Sequence, residues 1–264
     1  MTVIQVVSAW FILLFCSNDA GCRIKVKLTL IDSLLEPSGV GRSLNIIIIS
    51  VPQFPAEDAK QRASRLEIRR GGNCPNSLEV LQQLLGPRDA VRTYLVSPLP
   101  SESSPATRRI KDSFSLAGES SFTSSSPVNL DLCLYREAYT QAASSYIIRS
   151  ESTGSRTIVN YNDLPEMTVG EFEAVVRRFG ASEDTWWHFE GRIPDTTLEC
   201  VRALRDQLPN AQISVEVEKP GRDGLRELAA EADVVFYSRS WAEVCGTCDL
   251  RRASKAVVVI IGLS

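Results

Sequence analysis

From residue 186 onward, short apolar runs rich in β-branched and aromatic residues alternate with stretches whose apolar positions recur every three or four residues. That alternation is the pattern of strands joined by helical crossovers, and it predicts a parallel sheet in an α/β fold. Strands are expected at 186–189, 213–217, 234–237 and 257–261, each apolar enough to be covered on both faces. Helices are expected between them at 196–208, with Leu198, Val201, Leu204 and Leu208 on one stripe, at 225–232, and as a short turn near Trp241. Thr196 and Glu199 have the spacing of a capping box, and Pro209 is a stop. An earlier helix is marked by a second capping box, Thr168 with Glu171, by Met167 and Phe172 as a hydrophobic staple, and by Gly180 at its end. Its core face is Phe172, Val175, Val176 and Phe179.

The first half is less regular. Residues 65–70 read as a strand, and 146–161 as a hairpin that turns at Thr153 and Gly154. Between them, residues 97–129 are rich in Ser and Pro and poor in apolar side chains, which predicts a long flexible loop. The apolar run at 3–16 has no basic flank and is shorter than a membrane-spanning helix requires. A buried strand or a spurious start is the reading ahead of a secretory signal or anchor.

Composition narrows the function classes. The chain of 264 residues is long enough for one large α/β domain or two small ones, and its net charge of −3, with both signs interspersed, lacks the basic field of a nucleic-acid binder. The expected partners are a small molecule or another protein, with no nucleic acid and no membrane. Seven scattered cysteines do not form a disulfide framework, which points to a reducing, cytoplasmic compartment. Cys245 and Cys248 have metal or redox spacing, but with no second cysteine pair and a single histidine, His188, a four-ligand zinc site cannot be assembled. His188 lies inside an apolar strand and reads as a hydrogen-bonded core residue.

In a parallel sheet the ligand crevice lies beyond the carboxyl ends of the strands. That draws attention to Glu190, Gly191 and Arg192, to Glu218 and Lys219, and to Ser238 and Arg239, although polar residues there also serve simply to solvate loops. The most informative stretch is RRGGNCPNS at 69–77, leading into an apolar-periodic segment stopped by Gly86 and Pro87. Two glycines free the backbone for close approach, and Asn73 and Asn76 offer amides suited to gripping vicinal hydroxyls. Pro75 suits a first helical turn.

Six blocks in order, VPQFPAEDAKQRA (51–63), RRGGNCPNS (69–77), GSRTIVNYNDLP (154–165), WHFEGR (187–192), ISVEVEKP (213–220) and DVVFYS (233–238), resemble the PfkB (ribokinase-like) carbohydrate kinases, and within them the ketohexokinase branch. The resemblance covers residues 51–245. It implies a ribokinase-like parallel sheet flanked by helices with a small β lid, ATP and Mg2+ as cosubstrate and cofactor, and transfer of a phosphoryl group to a hydroxyl of a sugar or polyol. By position it implies sugar contacts from Gly72, Asn73 and Asn76, nucleotide contacts from Arg156 and Arg239, a cleft lined by Glu190 and Arg192, and a homodimer formed through the lid.

Two parts of the family pattern are not met. The glycine-rich GAGD turn that carries the catalytic Asp has no counterpart, so no catalytic residue is assigned, the chain is expected to be incomplete at its C-terminal side, and a non-catalytic sugar-binding homologue is the alternative. Relatives also open on a glycine-bearing strand ending in a sugar-binding Asp. Asp32 is the only acid available for that role, and residues 36–50, with four consecutive isoleucines, then read as an insertion. The expected organisation is an atypical segment at 1–50 and a partial PfkB domain at 51–264, with the Ser/Pro-rich loop at 97–129.

Overall fold

The computed structural model describes residues 5–7, 36–85, 91–115, 128–245 and 257–262. A seven-stranded, all-parallel sheet forms the body, built from β1 (Gln5–Val7), β2 (Glu36–Val40), β5 (Tyr94–Val96), β10 (Thr185–Glu190), β11 (Gln212–Val217), β12 (Val234–Ser238) and β13 (Val257–Gly262). Their spatial order is β1-β13-β12-β11-β10-β2-β5. A second sheet of four strands contains β3 (Leu44–Val51), β4 (Arg65–Gly71), β8 (Ser144–Ser150) and β9 (Arg156–Tyr161) in the order β4-β3-β8-β9. A two-stranded pair, β6 (Pro98–Pro100) with β7 (Leu134–Arg136), completes the strands.

Helices cover both faces of the large sheet, as parallel strands require. On one side α3 (Val169–Val176), α4 (Pro194–Gln207) and α5 (Leu225–Ala230) bury Phe172, Val201, Leu204 and Leu228 against Trp187, Phe189, Ile213 and Val215. On the other, α1 (Asn73–Leu84) and α2 (Pro105–Ser115) pack Cys74, Leu78, Ile110 and Phe114 against Leu95 and Leu99. Alternate residues of one strand serve the two cores: Leu95 faces the second and Val96 the first. Each large side chain so buried contributes about 1.5–3 kcal/mol. A short α6 (Arg239–Cys245) follows β12.

The expected strands at 186–189, 213–217, 234–237 and 257–261 all form, and the hairpin is β8 and β9, turning through Gly154 at φ 69°. The Thr168–Glu171 capping box forms in full, and Met167 and Phe172 are buried together. The box expected at Thr196 and Glu199 does not form, because the helix begins two residues earlier at Pro194, whose fixed φ suits a first turn. The loop reading of 97–129 is corrected in part. Residues 98–100 are strand, and α2 buries Ala106, Thr107, Ile110 and Phe114 behind a Ser104 hydroxyl that accepts from the Thr107 N–H at 3.1 Å. Residues 116–127, Asp32, Gly86, Pro87 and most of the 3–16 run lie outside the described residues.

The reading of 36–50 as an insertion is also corrected. Residues 36–40 are β2, inside the large sheet between β10 and β5, and β3 is an inner strand of the small sheet, hydrogen-bonded to β4 and β8. Two flanking strands cover the isoleucine run, so Ile48 is buried and Ile46, Ile47 and Ile49 are half-buried. The small sheet is joined to the body at four places: 41–43, between β4 and α1 at Gly71 and Gly72, 137–143, and 162–168.

Candidate functional site

The carboxyl ends of β2, β10 and β11 meet the start of α1. Gly72, immediately before α1, has φ +109°, and a Cβ there would lie 2.1 Å from the Arg42 carbonyl oxygen. No residue with a side chain fits, so the glycine both turns the chain and lets the two crossing segments touch. The same logic holds at Gly41, where a Cβ would meet Cys74 Sγ at 2.7 Å and Glu190 Oε2 at 2.9 Å. Helix α1 is anchored by Cys74, whose Sγ donates to the Val40 carbonyl at 3.4 Å, and by the buried Pro75 and Leu78. That anchoring brings Asn73 to the sheet, where its Nδ2 lies 3.0 Å from both carboxylate oxygens of Glu216.

Glu190 and Glu216 are register partners at the ends of β10 and β11. Burial pushes the Glu216 carboxyl up to about 7, the neighbouring Glu190 and Glu218 push the same way, and the Asn73 amide pulls against them. Glu190 is likewise raised by burial, although the Arg42 N–H donates to its Oε2 at 3.0 Å. Glu166 is the opposite case. Burial would raise it, but the Arg192 and Arg42 guanidiniums outweigh burial and hold it below the ordinary carboxylate value. Nη1 of Arg192 donates to Glu166 Oε1 at 2.9 Å, and Arg42 also pairs with Glu166. Val40, Gly41, Val96, Glu166, Glu190 and Arg192 line a small cleft open to solvent.

Of the residues singled out from sequence, Gly72, Asn73, Asn76, Glu190 and Arg192 fall in this neighbourhood. Arg156 and Arg239 do not join it. Arg156 pairs in register with Arg149, five positions along the strands from the Ser144 end that meets Asn45, about 17 Å away. Arg239 is exposed at the start of α6 and donates to Glu243 Oε1 at 2.8 Å. Sequence reasoning missed Arg42, Asn45, Glu166 and Glu216. Asn45 is 6% exposed and follows the glycine-bearing β2, the place where relatives were expected to carry an acid. Glu216 had a signal, a lone glutamate within the apolar run of β11.

His188 sits in the core as expected, its Nδ1 2.9 Å from Ser214 Oγ and its pKa lowered to about 4 by burial. Among the described residues no group of three His, Cys, Asp or Glu side chains is placed to hold a metal ion. No phosphoryl-transfer step is derived from the described residues. No helix among them is long and apolar enough to cross a membrane.

Comparison with known proteins agrees with this architecture. No protein-family model matches the sequence. Ketohexokinase of Mus musculus is 30% identical over 215 residues, an alignment that takes in 78% of this chain and 64%, less than two thirds, of the mouse protein. Among solved structures, ribokinase from Giardia lamblia superposes with a TM-score of 0.64 at 16% identity, over 86% of this chain and 74% of that one. A carbohydrate kinase from Agrobacterium tumefaciens gives 0.65 at 13% identity, over 88% and 71%. Arabidopsis thaliana ribokinase, solved with ribose and ATP, gives 0.63 at 16%, over 86% and 72%. These likenesses establish the fold.

Proposed function

We propose that the chain is a ribokinase-like (PfkB) protein that binds a sugar or polyol where α1 meets the carboxyl ends of β2, β10 and β11, a reading supported by the ribokinase-like fold and by the 30% identity to ketohexokinase. Gly72, Asn73 and Asn76 are the contacts to its hydroxyls, with Glu190 and Arg192 lining the cleft. The carrying observation is the approach of the Arg42 carbonyl to Gly72, which no other residue permits and which seats the Asn-bearing turn beside two buried carboxylates. Carboxylates, amides and guanidinium at the mouth of a cleft are the donors and acceptors that a polyhydroxylated ligand matches.

The activity that goes with this binding is ATP- and Mg2+-dependent transfer of a phosphoryl group to a sugar hydroxyl, with a ketose as acceptor. The alternative, sugar binding without transfer, is favoured by the dispersal of Arg156 and Arg239 among the described residues. Calorimetry with D-fructose, followed by an assay for sugar phosphate in the presence of Mg-ATP, separates the two. Binding with product supports the kinase reading, binding without product supports the alternative, and no binding of D-fructose, D-ribose or a polyol overturns the proposal.

Two further proposals accompany it. A cytoplasmic location is supported by the free, buried thiols of Cys74, Cys133 and Cys200. A homodimer through the small sheet is supported by its exposed apolar residues, including Leu66, Ile68, Tyr146 and Val159.

A further inference from the structure

The first turn of α1 carries an inference that rests on the sugar-binding reading and sharpens it. Asn73 and Asn76 are three residues apart on the helix and so share a face. Nδ2 of Asn73 donates to Glu216, and Oδ1 of Asn76 accepts from Nη1 of Arg70 at 3.0 Å. With Glu216 ionised, neither amide is free to turn over. An ionised carboxylate has no hydrogen to give to an amide oxygen, and a guanidinium has no acceptor for an amide N–H.

The two partners are themselves fixed. Glu216 is 5% exposed and sits in register between strands. Arg70 is 9% exposed, donates through Nε to Ser113 Oγ at 2.9 Å, pairs with Glu79, and lies 4.5 Å from the centroid of the Phe114 ring. What remains for a ligand is the carbonyl oxygen of Asn73 and the NH2 of Asn76. We propose that Glu216 and Arg70 are positioning residues that set the polarity of the site, so that Asn73 reads one ligand hydroxyl as a donor and Asn76 reads another as an acceptor.

This reading makes a prediction that binding alone does not. Fluorine accepts a hydrogen bond weakly and cannot donate one, so exchanging a hydroxyl for fluorine separates the two roles. Calorimetry at pH 8, where Glu216 is ionised, would compare D-fructose with its monodeoxy and monodeoxyfluoro analogues on the full chain. At one position both replacements weaken binding by about tenfold, the loss of one directed hydrogen bond. At a second position the deoxy sugar loses about as much while the fluoro sugar stays within about threefold of D-fructose.

Glu216→Gln, nearly isosteric, offers Asn73 either a donor or an acceptor and lets the amide reverse. It narrows the fluoro penalty at the first position to about threefold and leaves the second unchanged. Arg70→Met acts at the second position only and supplies an independent variant if the first fails to fold. A wild type with no such pair of positions, or a folded, sugar-binding Glu216→Gln with an unchanged pattern, overturns the inference and leaves sugar binding standing. Failure of the wild type to bind any of these sugars overturns both.

Discussion

Glu216 links the chemistry of the site to the stability of the molecule. The native carboxyl keeps its proton up to about pH 7, whereas in the unfolded chain it releases it near the ordinary value of 4.5. Between those values the native state binds more protons, so raising the pH favours unfolding. Ionising this group in place costs about 3 kcal/mol relative to water, at 1.36 kcal/mol for each tenfold change in acidity. The thermal midpoint is therefore expected to fall between pH 5 and pH 8, and Glu216→Gln to flatten that fall. A wild-type midpoint that rises steadily over this range would refute the assignment. Glu190, which remains in the variant and is raised for the same reason, leaves a shallower residual slope.

At this scale the sequence is legible where a residue's role is local. RRGGN announces a backbone that needs glycine, and Gly72 has the φ that only glycine adopts easily. It is not legible where the role depends on a distant neighbour. Nothing near Glu216 in the chain points to Asn73, 143 positions away, and nothing near Glu166 points to Arg42. Asp32 was read as the only acid available for the sugar-binding role, whereas Asn45 lies buried five residues beyond the glycine-bearing strand.

Among the elements, α3 shows how much local signals achieve. Thr168 accepts from the Glu171 N–H at 3.3 Å and the Glu171 carboxylate returns to the Thr168 N–H at 2.9 Å, while Arg136 on β7 grips the same carboxylate. The Arg136 side chain is the main cause of a Glu171 pKa lowered to about 2, with burial opposing it and the Thr168 bonds assisting. Thr168→Ala is expected to cost about 1 kcal/mol in urea unfolding and Thr168→Ser to restore most of it. Equal stability of all three proteins would mean that the Arg136 pair alone holds the helix end. Capping was misread at α4 because a proline outranked a capping box two residues later. The short apolar stripe of α2 was hidden by surrounding serines. The isoleucine run looked exposed because a sequence does not reveal that two other strands flank it.

For the molecule as a whole, the small sheet presents one face on which Ile68, Ile47, Tyr146 and Val159 lie in one register row, with Leu66, Ile49 and Ile148 in the next. Leu66 is 63% exposed and Val159 59%, more apolar surface than a lone sheet usually leaves to water. If two copies cover it, light scattering gives twice the chain mass, and the double variant Tyr146→Asp with Val159→Asp halves that mass without unfolding the chain. A monomeric wild type would rule the homodimer out. The α/β class and four strands of the body, β10 to β13, were readable from periodicity because strands covered on both faces are written as apolar runs. The small sheet was readable only in part, since its strands come from two stretches far apart in the chain, 44–71 and 144–161.

The four passages that join it to the body give the small sheet a mechanical character. A flap hung from one flexible tether can tumble and drift, and most of its poses are useless for covering a cleft. Here the chain passes between body and flap at 41–43, 71–72, 137–143 and 162–168, and the first, second and fourth passages carry Arg42, Gly72 and Glu166. Several pins along one edge make a door rather than a pendant. A hinge of that kind would couple any swing of the small sheet to Arg42, Gly72 and Glu166.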